Sequence, residues 1–205
     1  MPPYRHLFGP VLSRRLGRSL GIDLVAAKSC SYDCIFCQIG PTPATTLDPV
    51  RGAPVDEVLA EFDDWLASGG QADHLTLAGA GEPTLHPDFG AVIDGLRQRS
   101  AIPTVLMSNG SLFDRPGVRA AAARAAIVKV SVSGWDEASW RRVNRPHPAL
   151  RFDRIMDGLR QFAASYTGEL WVELFLVPGV NDAPEQVARI AALVAPLRPA
   201  RVHLN

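Results

Sequence analysis

Residues Ile127–Gly134, IVKVSVSG, decide the fold. Successive side chains on a strand point to opposite faces, so Val128, Val130 and Val132 share one side while Lys129, Ser131 and Ser133 share the other. A strand covered by helices on both faces reads as a nearly continuous apolar run. Here only one face is apolar. The segment 169–177, ELWVELFLV, repeats the pattern, with Leu170, Val172, Leu174 and Leu176 opposite Glu169, Trp171, Glu173 and Phe175. His74 and Thr76 oppose Leu75 and Leu77, and His203 and Asn205 oppose Val202 and Leu204. An ordinary closed barrel fills its interior with branched aliphatics, so this pattern predicts a barrel with a polar cavity.

Between these strands the period changes from two to that of a helix. Strands are predicted at 20–26, 74–81, 103–110, 127–134, 169–179 and from residue 200 onward. They alternate with helices after residue 55, over 87–100, up to about residue 126 and, in broken form, over 136–164. Asp182 and Glu185 have D-x-x-E spacing and predict a capping box for a last helix running to about Leu197. Alternating strand and helix favours a parallel sheet with right-handed crossovers. The fold expected is therefore α/β, a partial (β/α)6 TIM-like barrel in a single domain over 1–205. The stretch Gly40–Pro54 reads as a barrel loop, and no closing C-terminal helix or cap is expected in this chain.

The register carries a further expectation. Lys129 and Glu173 both point inward from consecutive strands, where an isolated charge is too costly to keep. They should pair or share a ligand.

Length, 205 residues, suits one α/β barrel. A formal net charge of zero gives no general pull toward nucleic acid or membrane. The first 25 residues contain no long apolar run, so neither a signal peptide nor a membrane span is expected there. Arg14, Arg15 and Arg18 read as a solvated basic edge, with phosphate contact as the rarer case. The three cysteines lie within eight positions, in Cys30–Gly40, CSYDCIFCQIG, directly after a predicted strand. An odd, reduced set of thiols fits the cytoplasm.

Their spacing is C-x3-C-x2-C. A structural zinc would normally complete four ligands, for which His74, His86, His147 or His203 would have to supply the fourth. Three thiolates also suit a four-iron cluster, leaving one iron open to a substrate or cofactor. Both readings stand on the residues alone.

This motif, with Phe36 just before its last cysteine, resembles the radical S-adenosylmethionine (SAM) superfamily. AGAGEPTLHP (78–87), MSNG (107–110) and PGVNDAPE (178–185) resemble later segments of that family in the right order. FGPVLSRRLGRSLGIDL (8–24) and VNRPHP (143–148) resemble a subgroup related to the wyosine-base synthesis enzymes of transfer RNA.

The resemblance implies that Cys30, Cys34 and Cys37 hold a 4Fe-4S cluster, with SAM chelating the open iron. It implies that Phe36 packs near the adenine, and that Ala80, Gly81 and Glu82 receive the SAM ammonium, mostly through the main chain. Asn109, Ser131, Arg145 and Asn181 become candidates for the remaining SAM contacts, while Asp182 reads as a helix cap. The implied activity is cleavage of SAM to a 5′-deoxyadenosyl radical that abstracts hydrogen from a substrate, with an electron donor such as flavodoxin or ferredoxin. The substrate itself is not implied; a small or nucleotide-like molecule fits the polar interior, and tRNA is possible. Three thiols leave none for a second cluster. Two alternatives remain open, a zinc-binding interaction module and an activating enzyme for a glycyl-radical protein.

Overall fold

The computed structural model describes residues 4–26 and 28–205. Seven strands form one sheet in sequence order: β1 (Leu7–Ser13), β2 (Gly17–Ile22), β3 (His74–Leu77), β4 (Thr104–Ser108), β5 (Ile127–Ser131), β6 (Glu169–Leu174) and β7 (Arg201–Leu204). From β2 to β7 every neighbour is parallel. The connecting helices are α1 (Val55–Ala67), α2 (Phe89–Arg99), α3 (Pro116–Ala122), α4 (Glu137–Asn144), α5 (Phe152–Ser165) and α6 (Pro184–Val194). This is the partial barrel that the alternation predicts.

One strand was not expected. β1 pairs antiparallel with β2 at the sheet edge, and its apolar residues Phe8, Val11 and Leu12 remain exposed. An edge strand with little buried on it leaves no burial pattern to read, and Pro10 suits such an edge.

The outer face of the sheet is the core. Leu75, Leu77, Leu106, Val128, Val130, Val172 and Leu174 are buried against the helices. From α1, Val58, Phe62 and Trp65 face inward. Gly95 lets α1 approach α2, since a Cβ there would lie 2.5 Å from Leu59 Cδ1. A true capping box opens α4: Asp136 accepts from Ser139 N at 2.9 Å, and Ser139 Oγ accepts from Asp136 N at 3.0 Å. The box expected at Asp182 is absent. Asp182 Oδ1 instead accepts from Gly179 N within the turn, and α6 starts two residues later on Ala183–Pro184, with Gln186 Oε1 accepting from Ala183 N.

The inner face is divided by depth. At the bottom, Leu16 from the β1–β2 turn packs with Val105, Ile127 and Trp171, partly covered by Met107, and makes a dry plug. His74 Nδ1 holds the Leu16 carbonyl at 2.7 Å. Above the plug lies the expected ion pair, Lys129 Nζ to Glu173 Oε2 at 2.9 Å, with about a tenth of each side chain exposed. The second oxygen of Glu173 bonds Arg15, which also donates to the Leu204 carbonyl and Asn205 Oδ1, both at 3.2 Å. Arg15 thus bridges the unpaired edges of the sheet rather than lying on a solvated rim. Arg18 does stay outside, on Asp73 and Gln71.

Removing the central carboxylate would strand two cations. Glu173→Leu is expected to cost ~3–5 kcal/mol, read as a lowered midpoint in urea denaturation. Lys129→Met should cost less, ~1–3 kcal/mol, because Arg15 keeps Glu173 paired. Equal or negligible losses for the two variants would contradict the bridged arrangement.

Candidate functional site

The cysteine loop folds over the C-terminal mouth of the barrel and is fastened to it by main-chain bonds. Lys28 N donates to the Ala80 carbonyl at 2.8 Å and Glu82 N to the Ser29 carbonyl at 2.9 Å. Gly81 lies between them with no room for a side chain, since a Cβ would sit 2.1 Å from Ser29 O. On its other flank the loop takes bonds from the end of α4, with Asp33 N and Ile35 N donating to the carbonyls of Asn144 and Val143.

Each thiol receives a side-chain N–H donor from a different part of the chain. Asn109, after β4, donates to Cys30 Sγ at 3.5 Å, and Asn144, at the end of α4, donates to Cys34 Sγ at 3.3 Å. Lys28 donates to Cys37 Sγ at 3.2 Å and also bonds the Gly40 carbonyl. Lys28 holds a left-handed backbone, φ +62°, to make this reach. Hydrogen bonds to sulfur are among the levers that set an iron–sulfur potential. Without a cation, burial pushes the Cys30 thiol up to about 11 and Cys34 to about 12. Thiols raised in this way carry charge only when a metal site supplies compensation.

The donor set fits a cluster better than a single ion. Among the described residues no three His, Cys, Asp or Glu side chains converge as ligands of one ion. His74 and His86 use ring nitrogens on the carbonyls of Leu16 and Ala53. His203 lies beside Trp171, and His147 Nδ1 accepts from Ala149 N. A cluster spaces its thiolates around a larger core and needs only three.

Beneath the loop is a cavity of about 240 Å³. Cys30, Cys34 and Phe36 form its roof, Gly81, Glu82 and Asn109 one wall, and Ser131 and Asn144 the other. Lys129 and Glu173 reach it from below. Phe36 stacks on Phe175 with ring centroids 4.1 Å apart, which fixes it at the mouth.

Glu82 is the most engaged group here. Its carboxylate is 2% exposed and accepts four bonds, from Thr84 N, Thr84 Oγ1, Ser108 Oγ and Asn109 N. Burial pushes its carboxyl above the ordinary range against the pull of those donors.

Other expected contacts are placed differently. Ala80 does not line the cavity; its N–H donates to Asp23 Oδ2 and its carbonyl takes Lys28 N, so its main chain is already used. Arg145 points outward to Asp33 at 3.5 Å with over half its side chain exposed. Asn181 is fully buried as a clamp: its amide donates to the carbonyls of Ser133 and Phe175, and its Oδ1 accepts from Val177 N. In this structure all three are engaged with other protein groups and none lines the cavity. Lys28 and Asn144 were missed: Lys28 belongs to no readable motif, and Asn144 lies within VNRPHP (143–148), from which Arg145 was taken instead; that Lys28 and Lys129 are the two lysines in the sequence was the available signal.

Comparison with known proteins agrees with this geometry. Residues 24–191 match the radical SAM superfamily. The chain is 34% identical to a UPF0026 protein of Methanocaldococcus jannaschii, over 97% of this chain and 62% of that one. It is 32% identical to a UPF0026 protein of Synechocystis, covering 97% and 74% respectively. A protein of Brachyspira hyodysenteriae named GTPase Obg is 36% identical over 98% of this chain but only 29% of its own length. The phosphate loop G-x4-G-K-[ST] does not occur in the present sequence, where Ala27 precedes Lys28. The chain thus spans less than two thirds of the first of these relatives.

Among solved structures, TYW1 with a lysine-pyruvate adduct superposes with a TM-score of 0.68 at 18% identity, covering 93% of this chain and 65% of that one. Streptococcus suis SuiB bound to S-adenosylmethionine gives 0.66 at 14% identity, covering 90% and 40%. Both likenesses are of fold. With the matching segment running from the end of β2 into α6 and including the whole cysteine loop, the chain belongs to the radical SAM superfamily and, within it, to the UPF0026 proteins.

Proposed function

We propose that this chain is the catalytic core of a radical SAM enzyme, a single domain in which Cys30, Cys34 and Cys37 hold a 4Fe-4S cluster. The observation that carries the reading is the cysteine loop: three thiols, each met by its own N–H donor, two of them roofing a cavity that Glu82, Asn109 and Lys129 also line. When bound, the cluster supplies an electron for reductive cleavage of SAM, giving methionine and a 5′-deoxyadenosyl radical that takes a hydrogen atom from the substrate. A flavodoxin- or ferredoxin-like donor in the cytoplasm would provide that electron.

The chain's own residues supply positioning and exclusion. Asn109, Asn144 and Lys28 orient the three sulfurs. Gly81 and Glu82 give the cavity a wall with close backbone approach and a carboxylate beside Cys30, suited to the SAM ammonium. Phe36, stacked on Phe175, limits water entry at the mouth, and Ser131 offers a hydroxyl to the ribose or carboxylate. The closed bottom keeps solvent from the radical, which must not meet other hydrogen donors. The substrate is small or nucleotide-like, with tRNA a larger alternative.

Anaerobic reconstitution should yield a brown protein with roughly four irons per chain, as a three-thiolate cluster site requires. With SAM and dithionite it should release 5′-deoxyadenosine. Cys→Ala at position 30, 34 or 37 should abolish that release. One tightly held zinc and no iron after reconstitution would contradict the proposal.

Glu82→Ala leaves buried donors on Thr84, Ser108 and Asn109 without their acceptor. It should destabilise the protein by ~3 kcal/mol or more and weaken SAM binding at least tenfold in equilibrium dialysis. Wild-type affinity in the folded variant would remove Glu82 from the SAM site.

A further inference from the structure

We infer that the bottom of the cavity is an oxyanion site, where Lys129, with the charge of Arg15 behind it, holds a carboxylate or phosphate group of the substrate. The inference rests on the reading of this cavity as the reaction chamber. Two cations, Arg15 and Lys129, share one carboxylate, Glu173, and their side chains are 24% and 10% exposed. One positive charge is left over in a partly desolvated place, where an unpaired charge is costly.

Among the described residues the Lys129 ammonium meets a single acceptor, Glu173 Oε2 at 2.9 Å, although it carries three protons. It lines the cavity, so its remaining protons have space to meet a ligand. The other buried carboxylate lining the cavity, Glu82, makes no bond to Lys129; it accepts from Thr84, Ser108 and Asn109 and belongs to the wall assigned to SAM. Close by, His203 Nδ1 is buried with no partner among the described residues. Burial and the charges of Arg15 and Lys129 favour its neutral form, which still has a ring N–H to donate.

Depth separates this site from the one assigned to SAM. Lys129 lies in register with Trp171 and Met107, at the top of the plug, whereas the thiols sit at the mouth with Asn109 and Asn144. An oxyanion held at the floor would leave the rest of the molecule extending upward toward the thiols. That places its C–H bonds between the two sites, as hydrogen abstraction demands.

Because the sequence holds two lysines, Lys28 and Lys129, the test is direct. The apo protein, labelled at lysine Cε with ¹³C, should give one signal from each. Inorganic phosphate and acetate are titrated separately, with chloride at matched ionic strength as control. We expect one oxyanion to move the Lys129 signal saturably while Lys28 stays in place. The phosphate arm identifies a phosphate group and the acetate arm a carboxylate.

Arg15→Gln should weaken that binding about tenfold, because Lys129 and Glu173 then balance and the surplus positive charge is gone. An unmoved Lys28 signal certifies that this variant is folded. A Lys129 signal that responds no more than to chloride would overturn the site. A signal that SAM alone shifts, and that phosphate and acetate do not, would assign the lysine to SAM instead. Uncoupled SAM cleavage by the reconstituted wild type is measured in parallel. Cleavage without an oxyanion response overturns the floor site alone, and a response without cleavage overturns the radical reading.

Discussion

The buried carboxylate of Glu82 is the constraint on which the site depends. A carboxylate is expensive to remove from water unless its oxygens are filled, and here four donors fill them. Two come from the end of β4 and two from the turn after β3, so one side chain fixes the exits of neighbouring strands. Its own N–H then holds Ser29 of the cysteine loop, while Asn109, whose main chain it also holds, reaches Cys30 and Ser31. The loop therefore sits where the barrel mouth dictates. Hydrogen bonds to an ionised group are stronger than neutral ones, and a network of them positions its members together.

Beneath that mouth the barrel solves two opposed demands. A chamber for radical chemistry must be polar enough to bind charged molecules and closed enough to exclude water. The sheet meets them at different depths: Leu16, Val105, Ile127 and Trp171 seal the bottom, and the Arg15–Glu173–Lys129 group forms a charged layer above them. Arg15 also ties β6 and β7 to the β1–β2 turn across the gap in the sheet. Stability and ligand recognition are in this way drawn from the same residues.

Much of this was legible in the sequence because it depends on periodicity and spacing. The two-residue alternation in β5 and β6 put Lys129 and Glu173 inside, and their pairing follows from the cost of burying either alone. The cysteine spacing identified the loop. What escaped depended on bonds between residues far apart in the chain. Asn181 and Asn109 both stand at strand exits, yet one clamps three main-chain groups and the other touches a thiol. Asp182 has capping-box spacing but spends its oxygen on Gly179. Ala80 stands in the segment that resembles the family, with Ala where the family usually has Gly, but its main chain is taken by Asp23 and Lys28. Strand β1 was invisible for a different reason: Leu7 is buried but Phe8, Val11 and Leu12 are exposed, so no alternating burial pattern marks it. Lys28 reaches Cys37 through a left-handed backbone, which no propensity foretells.

The central claim is that the three thiols hold a cluster with one iron left for SAM. Mössbauer spectroscopy of the ⁵⁷Fe-reconstituted protein, recorded before and after SAM addition, tests it most directly. The account predicts a cluster spectrum in which one iron site separates from the others when SAM is added, as chelation of the open iron requires. A spectrum with no cluster, or a cluster whose irons are indifferent to saturating SAM, would contradict it.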